Sequence, residues 1–420
     1  MREGRLQSGE TLYTQTALAL RMTKKRVVVV GGGIVGLAAA LKIARTSRGV
    51  RVTVLEKEAA VGRHQTGNNS GVLHCGLYYR PGSIKARMAV EGIWEMTRFC
   101  QEHDVAHEIC GKIVVAVDES ELPRLKNLHQ RGLENGLQGL KWLGPEEMRE
   151  IEPHVAGIAA LRVPQEGIVD FPAVARTMVR LLEDEGHRVV CNAEVIQMRS
   201  HSGGWVVQTP WREFEADFVV NCGGLQCDRL SRLAGEDPDT RIVPFRGEYF
   251  LIKPERQHLV NHLIYPTPNP QFPFLGVHYT RMIHGGIEAG PNAVLAFARE
   301  GYRLTNIEPR DLFDALTFPG LWEFLTKHSS VVVHELARSL SKSLFTRTLQ
   351  RLVPEIRSDD LIPGGAGVRS QAMSLDGELV QDFDLVERPN ALHVLNAPSP
   401  AATASLAIGG EIANRVVRRL

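Results

Sequence analysis

The stretch TGNNSGVLHCGLYYRPGS, residues 66–83, concentrates side chains that can do chemistry. Asparagine, histidine, cysteine and tyrosine stand between glycines, and no apolar period of a helix or a strand runs through them. His74 is the natural general base of the set, because the unperturbed pKa of histidine lies close to working pH. The stretch is therefore a candidate active-site loop, and a polar surface connector is the alternative.

The chain before this loop has the order strand, glycine turn, helix, strand. The apolar run RVVVV, residues 26–30, leads into Gly31, Gly33 and Gly36 and then into the helix-forming LAAALKIA. The first glycine permits the turn, the second lets a pyrophosphate approach the backbone, and the third lets helix and strand pack closely. Glu56 ends the next strand, where an acid can bind ribose hydroxyls and repels a 2′-phosphate. The pattern predicts an NAD or FAD site at a helix N-terminus and disfavours NADP.

Later segments favour FAD over NAD. A continuous NAD domain alternates strands and helices, whereas this chain enters the polar loop directly after Glu56. The segment ADFVVNCGG, residues 216–224, predicts a buried strand that ends in a second glycine turn. HRVVCNAEVIQM predicts one further strand, and Asp170 before Pro172 predicts a capped helix. The C-terminal segment predicts a strand, a small-residue loop and a helix that begins near residues 400–401.

Composition limits the possible partners. The chain has 420 residues, enough for two domains, and a net charge of +1 with 23% charged residues. Such a balance gives no field that would attract nucleic acid, so we expect a small-molecule partner. The 6 cysteines have no CxxC spacing, which argues against a disulfide scaffold or a zinc site and favours a reducing compartment.

The N-terminal region bears on location. The apolar run 27–41 is shorter than a bilayer requires and contains three consecutive glycines, so no transmembrane helix is predicted. Residues 1–25 are interpreted as a disordered or mis-assigned leader, because Glu3 and Glu10 count against a transit peptide. We expect a cytoplasmic protein, with peripheral contact at the inner membrane face left open. A mitochondrial location is the alternative for a eukaryotic source.

Several sequence blocks resemble one flavoprotein family. HQTGNNSGVLHCGLYYRPGSIKA, FRGEYF, PFLGVHYT, GPNAVLAFAREGY and GAGVRSQ are similar to the L-2-hydroxyglutarate dehydrogenase/oxidase family, within the D-amino-acid-oxidase-like FAD superfamily, over 26–420. The resemblance implies an α/β fold, α+β overall, with a discontinuous Rossmann-like FAD-binding domain and an antiparallel-sheet substrate domain. The expected FAD-binding segments are 26–110, 165–235 and 360–420. The expected substrate-domain segments are 111–164 and 236–359, with helices over 308–355.

The resemblance also implies which residues hold FAD. FAD is expected to bind non-covalently, since the adjacency of Cys75 and His74 is by itself weak evidence for covalent attachment of the flavin. The residues expected at the cofactor are Gly31, Gly33, Ile34, Val35, Gly36, Glu56, Lys57, Thr66, Asn69, Ser70, Gly71, Val195, Cys222, Gly223, Gly224, Gly367, Arg369, Pro400, Ala401, Ala402 and Thr403. Thr403 and Ser405 could equally cap the last helix.

The substrate site follows from the same resemblance. His74 is expected along the flavin and His278 on the substrate sheet, so either could take a proton. Arg369 is the first choice for a carboxylate anchor, because its planar fork binds carboxylates with two hydrogen bonds; an ion pair within the fold is the alternative. The further candidates are Tyr79, Arg80, Lys85, Arg246, Glu248 and Gln371. Glu248 could also simply pair with Arg246.

The implied activity is FAD-dependent oxidation of L-2-hydroxyglutarate to 2-oxoglutarate by hydride transfer from Cα to flavin N5. Oxygen, a quinone or an electron-transfer protein could accept the electrons. Alternatives are an amino-acid or amine oxidase, a glycerol-3-phosphate dehydrogenase, and a non-catalytic FAD-binding redox sensor. The amphipathic segment 308–355 is expected to pack on the substrate domain, with docking to a membrane or a second subunit as the alternative. No metal site is expected.

Overall fold

The computed structural model describes residues 24–269 and 276–420, so the predicted leader lies almost wholly outside the described part. The strands are β1 (Lys25–Val30), β2 (Val50–Leu55), β3 (Val72–Leu73), β4 (His107–Glu108), β5 (Lys112–Ala116), β6 (Lys141–Leu143), β7 (Ala159–Val163), β8 (Gly167–Val169), β9 (Arg188–Val190), β10 (Gln197–His201), β11 (Gly204–Gln208), β12 (Glu213–Ala216), β13 (Phe218–Asn221), β14 (Thr240–Ile252), β15 (Leu263–Pro266), β16 (His278–Arg281), β17 (Ile287–Gly290), β18 (Val294–Leu295), β19 (Leu361–Ser374), β20 (Asp384–Arg388) and β21 (Ala391–Asn396). The helices are α1 (Ile34–Thr46), α2 (Ile84–Glu102), α3 (Leu122–Glu134), α4 (Pro145–Ile151), α5 (Phe171–Asp184), α6 (Cys227–Leu233), α7 (Pro309–Leu316), α8 (Pro319–Lys327), α9 (Ser329–Leu340), α10 (Lys342–Gln350) and α11 (Ser405–Val417).

A six-stranded sheet in the order β20-β21-β13-β1-β2-β9 forms the first layer. Its neighbours pair in parallel, except for the antiparallel edge pair β20 and β21. The valines of β1 are buried because strands and helices cover both faces of a parallel sheet. Helix α1 packs closely on α11, since a Cβ on Gly409 would lie 2.7 Å from the carbonyl carbon of Ala38. The predicted strand, turn, helix, strand order and the later strand at 218–221 are confirmed.

A larger, mixed sheet forms the second layer. Its order is β18-β14-β17-β16-β15-β5-β7-β6, and β19 pairs with β14. Most pairs are antiparallel, but β15 and β5 run parallel, so the sheet is not purely antiparallel as expected. The long pairing from Thr240–Ser374 to Ile252–Leu361 attaches β19 to this sheet rather than to the first one. Strand β19 thus belongs to the second layer by its pairing, although its residues Gly367 and Arg369 were expected at the cofactor.

Two smaller sheets complete the strands. The antiparallel sheet β3-β8-β4 lies where the polar loop meets the chain around residue 167, and β10-β11-β12 forms a separate meander. The predicted single strand over HRVVCNAEVIQM is wrong, because the described chain breaks into β9 and β10 around an Asn192 with φ of 53°. That left-handed conformation interrupts a strand.

The helices agree with the sequence except at one end. Segment 308–355 contains α7 to α10, and Pro319 stands at the start of α8, where a proline is tolerated. Asp170 accepts a hydrogen bond from the Ala173 amide and so caps α5 as predicted. Helix α11 begins at Ser405 rather than near 400–401, because turns occupy the intervening residues. None of the helices in the two described ranges has the length and apolar character needed to cross a membrane.

Candidate active site

Both main sheets contribute to one cavity of about 1530 Å³. Its lining includes the ends of β1, β2 and β13, the polar loop, and residues of β14, β16 and β19. Pockets for one small molecule commonly measure about 300–1,000 Å³. The cavity therefore has room for a dinucleotide and a small substrate together.

The glycine turn at the start of α1 shapes one end of the cavity. Gly31 has φ of +112°, and a Cβ there would lie 2.4 Å from the carbonyl oxygen of Cys222. A Cβ on Gly36 would lie 2.1 Å from the carbonyl oxygen of Gly31. The first N–H groups of a helix have no partner within it, and that of Ile34 binds Thr66 Oγ1 at 2.9 Å. The bare backbone and the helix N-terminus fit a pyrophosphate.

Glu56 marks the place for a ribose. Its carboxylate is buried at the end of β2 and accepts hydrogen bonds from the amides of Gly32 at 2.8 Å and Glu58 at 2.9 Å. These bonds orient the carboxylate at the cavity wall, close to Val195 of the same lining. The geometry suits a ribose diol and the adjacent base, and disfavours an added phosphate.

A cluster of charges follows Glu56. Lys57 Nζ lies 2.8 Å from Glu300 Oε2 and 3.0 Å from His64 Nε2, and it also contacts Glu58. The ligand atoms of Glu58, His64 and Glu300 lie within 4.8 Å of one another, a spacing that could hold a metal ion. The Lys57 ammonium contacts all three, so it already supplies the cation for this cluster.

The polar loop is tied to the C-terminal loop. The Thr403 hydroxyl donates to the Val72 carbonyl at 3.3 Å and accepts from the His74 amide at 3.2 Å. The Asn69 side chain braces the loop itself, accepting from the Gly71 amide at 2.8 Å. Thr403 therefore connects the two loops, and the cap residue of α11 is Ala404 without a side-chain bond.

All the residues expected at FAD line the cavity, with Gly71 as the exception. Gly71 lies between two lining residues, Ser70 and Val72. The turn, the Glu56 carboxylate and the two loops thus fit the pyrophosphate, ribose and ring portions of FAD. FAD is the cofactor of this fold.

His278 lines the cavity from the start of β16. Its Nδ1 donates to the Gly276 carbonyl at 2.8 Å, which leaves Nε2 as the acceptor nitrogen. The ring stacks on Tyr265 with 3.8 Å between centroids. Burial, with a smaller contribution from the nearby cationic groups, lowers the pKa of His278 to about 3. His278 is therefore a neutral hydrogen-bonding group and a poor proton acceptor.

His74 has a different environment. Its Nδ1 is buried and lies 3.4 Å from Glu166 Oε2, while 17% of the side chain remains exposed at the cavity wall. The exposed part of the ring therefore faces away from Glu166. The carboxylate on one side of the ring can accept a hydrogen bond from Nδ1–H, which leaves Nε2 as the acceptor nitrogen on the other side.

Cationic and polar candidates line the same region. Arg369 on β19 is cationic even though burial lowers its pKa. Lys85 Nζ lies 4.8 Å from the centroid of the Tyr79 ring and 3.2 Å from the Gln381 carbonyl oxygen. Burial lowers the pKa of Lys85 to about 8. Gln371 lines the cavity and donates weakly, at 3.4 Å, to a backbone carbonyl.

Arg246 and Glu248 do not line the cavity, although both were predicted at the substrate. Arg246 Nη2 binds Glu248 Oε1 at 2.6 Å, and Glu248 also accepts from Asn292 at 2.9 Å and from Ser339 of α9. These bonds use the carboxylate to join β14 to α9. The pairing that the sequence left as an alternative is therefore the arrangement present. Arg80 is exposed and likewise absent from the lining.

The sequence did not point to several residues at this end. Tyr78, Tyr249 and Tyr265 line the cavity, and Lys112 and Glu166 lie behind His74. Burial raises the pKa of Tyr249 to about 12, so its hydroxyl stays a hydrogen-bond donor. Lys112 begins the apolar segment KIVVAV, and Glu166 precedes GIVD. A charged residue beside an apolar strand does not by itself indicate a buried site, since strand ends are commonly solvated. Only the folded chain reveals that these charges are buried.

Comparison with known proteins identifies the family of this chain. The family model of FAD dependent oxidoreductases matches residues 26–415. L-2-hydroxyglutarate dehydrogenase of Indibacter alkaliphilus is 47% identical over 94% of this chain and 99% of its own. The Escherichia coli K12 protein of that name is 42% identical (93% and 92% covered), and the human mitochondrial one is 42% identical (94% and 89%).

A solved structure shares the fold. L-alpha-glycerophosphate oxidase of Mycoplasma pneumoniae, with FAD bound, superimposes with a TM-score of 0.77 at 21% identity and covers 94% of each chain. At that identity the likeness shows the architecture alone. The matches over at least nine-tenths of the chain show that this protein belongs to the FAD-dependent oxidoreductases and, among them, to the L-2-hydroxyglutarate dehydrogenase family.

Proposed function

We propose that this enzyme oxidises L-2-hydroxyglutarate to 2-oxoglutarate and that His74 is its general base. FAD, when bound, supplies the acceptor for the two electrons and the hydrogen that leave Cα as hydride. The observation that carries the proposal is that His74, Arg369 and Lys85 all line the FAD cavity. They come from the polar loop, β19 and α2, so the folded chain brings a base and two cations to the wall of one cavity.

A dicarboxylate needs two cationic anchors, and the cavity supplies both. Arg369 suits the carboxylate next to the hydroxyl, because a guanidinium fixes a planar carboxylate by two parallel hydrogen bonds. Lys85 suits the distal carboxylate, since its ammonium reaches the cavity from the start of α2. Tyr79 and Gln371 add hydrogen-bond donors to the same lining.

The two histidines have separate roles in this proposal. His74 accepts the hydroxyl proton on the ring nitrogen away from Glu166, and the resulting imidazolium faces a carboxylate. His278 stays neutral, because burial and the surrounding cations oppose its protonation, and its Nε2 accepts a hydrogen bond from a donor group of the substrate or of FAD. The hydroxyl O–H bond breaks as the new N–H bond forms, so the carbonyl of 2-oxoglutarate develops as hydride leaves Cα.

Anaerobic bleaching of the flavin tests the substrate. The yellow holoenzyme is mixed separately with L-2-hydroxyglutarate, D-2-hydroxyglutarate, sarcosine and glycerol 3-phosphate. We expect rapid loss of the flavin absorbance with the first alone. Bleaching by sarcosine or glycerol 3-phosphate instead would assign the protein to another reaction of the fold, and no bleaching by any of them favours a redox sensor.

Two variants test the base. His74→Ala should slow flavin reduction by about 10²–10⁴-fold, the range typical of removing a general base. His278→Ala should weaken substrate binding more than it slows the limiting rate. The opposite pattern would assign the base to His278.

We also propose that the reduced enzyme meets its electron acceptor at a membrane surface. Large apolar side chains are exposed on three consecutive helices, including Phe313 of α7 at 68% and Trp322 of α8 at 55%. On α9, Val333, Leu336 and Leu340 follow helical spacing along one exposed stripe. Exposed Lys342 follows this stripe directly, and such a pattern suits a helix lying on lipid. A membrane quinone is then the nearest acceptor of suitable chemistry.

A further inference from the structure

Behind His74 lies a carboxylate that has no contact with solvent. The Glu166 side chain is fully buried in the turn between β7 and β8. Its Oε1 accepts from the amide and the thiol of Cys75, both at 3.3 Å. Its Oε2 lies 2.6 Å from Lys112 Nζ and 3.4 Å from His74 Nδ1. One buried carboxylate thus joins a lysine to the histidine that we propose as base.

Strand register brings these residues together. In the antiparallel pair of β3 and β8, Val72 faces Ile168 and Leu73 faces Gly167. The next pair in that register is His74 with Glu166, at the edge of the small sheet. Lys112 starts β5 and pairs with Val163 at the end of β7, just before the turn that carries Glu166.

Lys112 is as buried as its partner, with none of its side chain exposed. Its ammonium lies 4.5 Å from the centroid of the Tyr78 ring and 4.7 Å from that of Tyr265. Aromatic faces stabilise a cation that has lost its water. The ammonium is therefore held between two rings and directed at Glu166.

This pair keeps Glu166 ionised. Burial opposes the charged form, but the Lys112 ammonium and His74 outweigh burial and hold the pKa of Glu166 well below its ordinary value. Burial also raises the pKa values of the surrounding thiols and phenols, which therefore stay neutral: Cys75, Cys110, Tyr78, Tyr79 and Tyr265. His278 is neutral, and Arg369 is a permanent cation. Glu166 is thus the anion that faces His74.

We propose that Glu166, paired with Lys112, is a positioning residue that fixes the tautomer and orientation of His74 for proton abstraction. The Glu166 carboxylate keeps the proton of neutral His74 on Nδ1, so the Nε2 lone pair is directed to the substrate hydroxyl. When Nε2 takes the hydroxyl proton, the carboxylate stabilises the imidazolium without itself being protonated. The proposal rests on the proposed function.

The same ion pair separates the roles of the two histidines. His74 faces its carboxylate end, whereas His278 stacks on Tyr265, whose ring also contacts the Lys112 ammonium. A carboxylate stabilises an imidazolium and a nearby cation destabilises one. Glu166 therefore favours His74 as the proton acceptor, while burial, with a smaller contribution from Lys112, keeps His278 neutral.

The main test is the pH profile of flavin reduction at saturating L-2-hydroxyglutarate. In Glu166→Gln we expect the limiting rate to fall on the order of 10²-fold and the acid limb to move to lower pH, because the imidazolium loses its carboxylate. The dissociation constant of the substrate should change little. Glu166→Asp, which keeps the charge, should recover part of the rate. Unchanged rate and profile in Glu166→Gln would overturn the proposal.

A matched control is available in Glu152→Gln. Glu152 is also a fully buried carboxylate beside a histidine, 3.0 Å from His262 Nδ1, and it does not line the cavity. This variant should keep the wild-type profile. If Glu152→Gln shifted the pH profile as much as Glu166→Gln does, the effect would come from the general loss of a buried charge. That result would overturn the positioning role of Glu166.

Two further measurements keep the proposal testable if Glu166→Gln folds poorly. The double variant Lys112→Met, Glu166→Gln removes both charges and should therefore fold. It should still reduce its flavin slowly, with the acid limb of the pH profile at lower pH. A wild-type rate of flavin reduction in the double variant would contradict the proposal. Histidine ¹⁵N spectra of the holoenzyme should show His74 as the Nδ1–H tautomer, and an Nε2–H tautomer in the wild type would also contradict it. If L-2-hydroxyglutarate fails to bleach the flavin of the wild type, the proposed function is wrong. That failure is distinct from a failure of the positioning role of Glu166, which is measured in variants of an active enzyme.

Discussion

Replacing Lys112 by methionine is the sharpest test of how the site is held together. The change removes the ammonium and keeps an unbranched apolar chain between Tyr78 and Tyr265. Glu166 then retains the Cys75 contacts at 3.3 Å and the His74 contact at 3.4 Å. Removing one partner of a buried ion pair typically costs about 3–5 kcal/mol, because the other charge stays buried without compensation. We expect Lys112→Met to lower the free energy of unfolding by that amount near neutral pH.

The loss should depend on pH in a defined direction. In the wild type the folded-state pKa of Glu166 lies below the unfolded value of about 4.3, so its stabilisation is present above that pH and lost as pH falls. Without Lys112, burial raises the folded-state pKa of Glu166 above the unfolded value. The deficit of Lys112→Met relative to wild type should therefore shrink as pH falls below about 4.3, where the wild type loses the stabilisation from Glu166. It should grow further from about pH 4.5 towards pH 8, where the unpaired carboxyl of the variant is forced to ionise.

Urea unfolding of the holoenzyme at several pH values measures this difference, with tryptophan fluorescence as the signal. The double variant Lys112→Met with Glu166→Gln should recover most of the lost stability, since neither charge is then left unpaired. A loss below about 1 kcal/mol in Lys112→Met, or a loss that does not change with pH, would refute the assignment of a buried, ionised pair.

Three further predictions follow from the cavity and the exposed helices. Because burial lowers the pKa of Lys85 to about 8, kcat/KM for L-2-hydroxyglutarate should fall as pH rises through about 8. In Lys85→Met, kcat/KM should be low at every pH and should not fall at about pH 8. If the variant still shows that fall, Lys85 is not the anchor of the distal carboxylate. In Gly36→Ala the new Cβ would lie 2.1 Å from a backbone oxygen, so this variant should lose FAD and be colourless. Gly49→Ala, whose Cβ has nothing within 4 Å, should bind FAD normally. A yellow, FAD-containing Gly36→Ala protein would contradict the need for glycine in the turn. Leu340→Ser should weaken co-sedimentation with phosphatidylglycerol vesicles by roughly tenfold, while the exposed Leu133→Ser should not, and equal binding of both would contradict a lipid-facing α9.

The FAD-binding half could be predicted well from the sequence, because its signals are local. Strand, glycine turn, helix and Glu56 are consecutive, and each residue type has its own steric or electrostatic reason. The side chains of Lys85, Arg369 and the two histidines also line one cavity as expected. The start of α11 and the break at Asn192 were missed, since short turns are decided by backbone conformations that composition does not specify.

What only the tertiary structure decided is which charges face the cavity and which are used elsewhere. Arg246 and Glu248 were expected at the substrate, yet they bind each other, and Asn292 and Ser339 complete that network. By itself the sequence determined the cofactor fold and a set of chemically able side chains. The pairing of Lys112 with Glu166 behind His74 depends on the register of β3 with β8 and of β5 with β7. Electrostatic effects act through space and grow with burial, so their outcome appears only once distant strands are placed side by side.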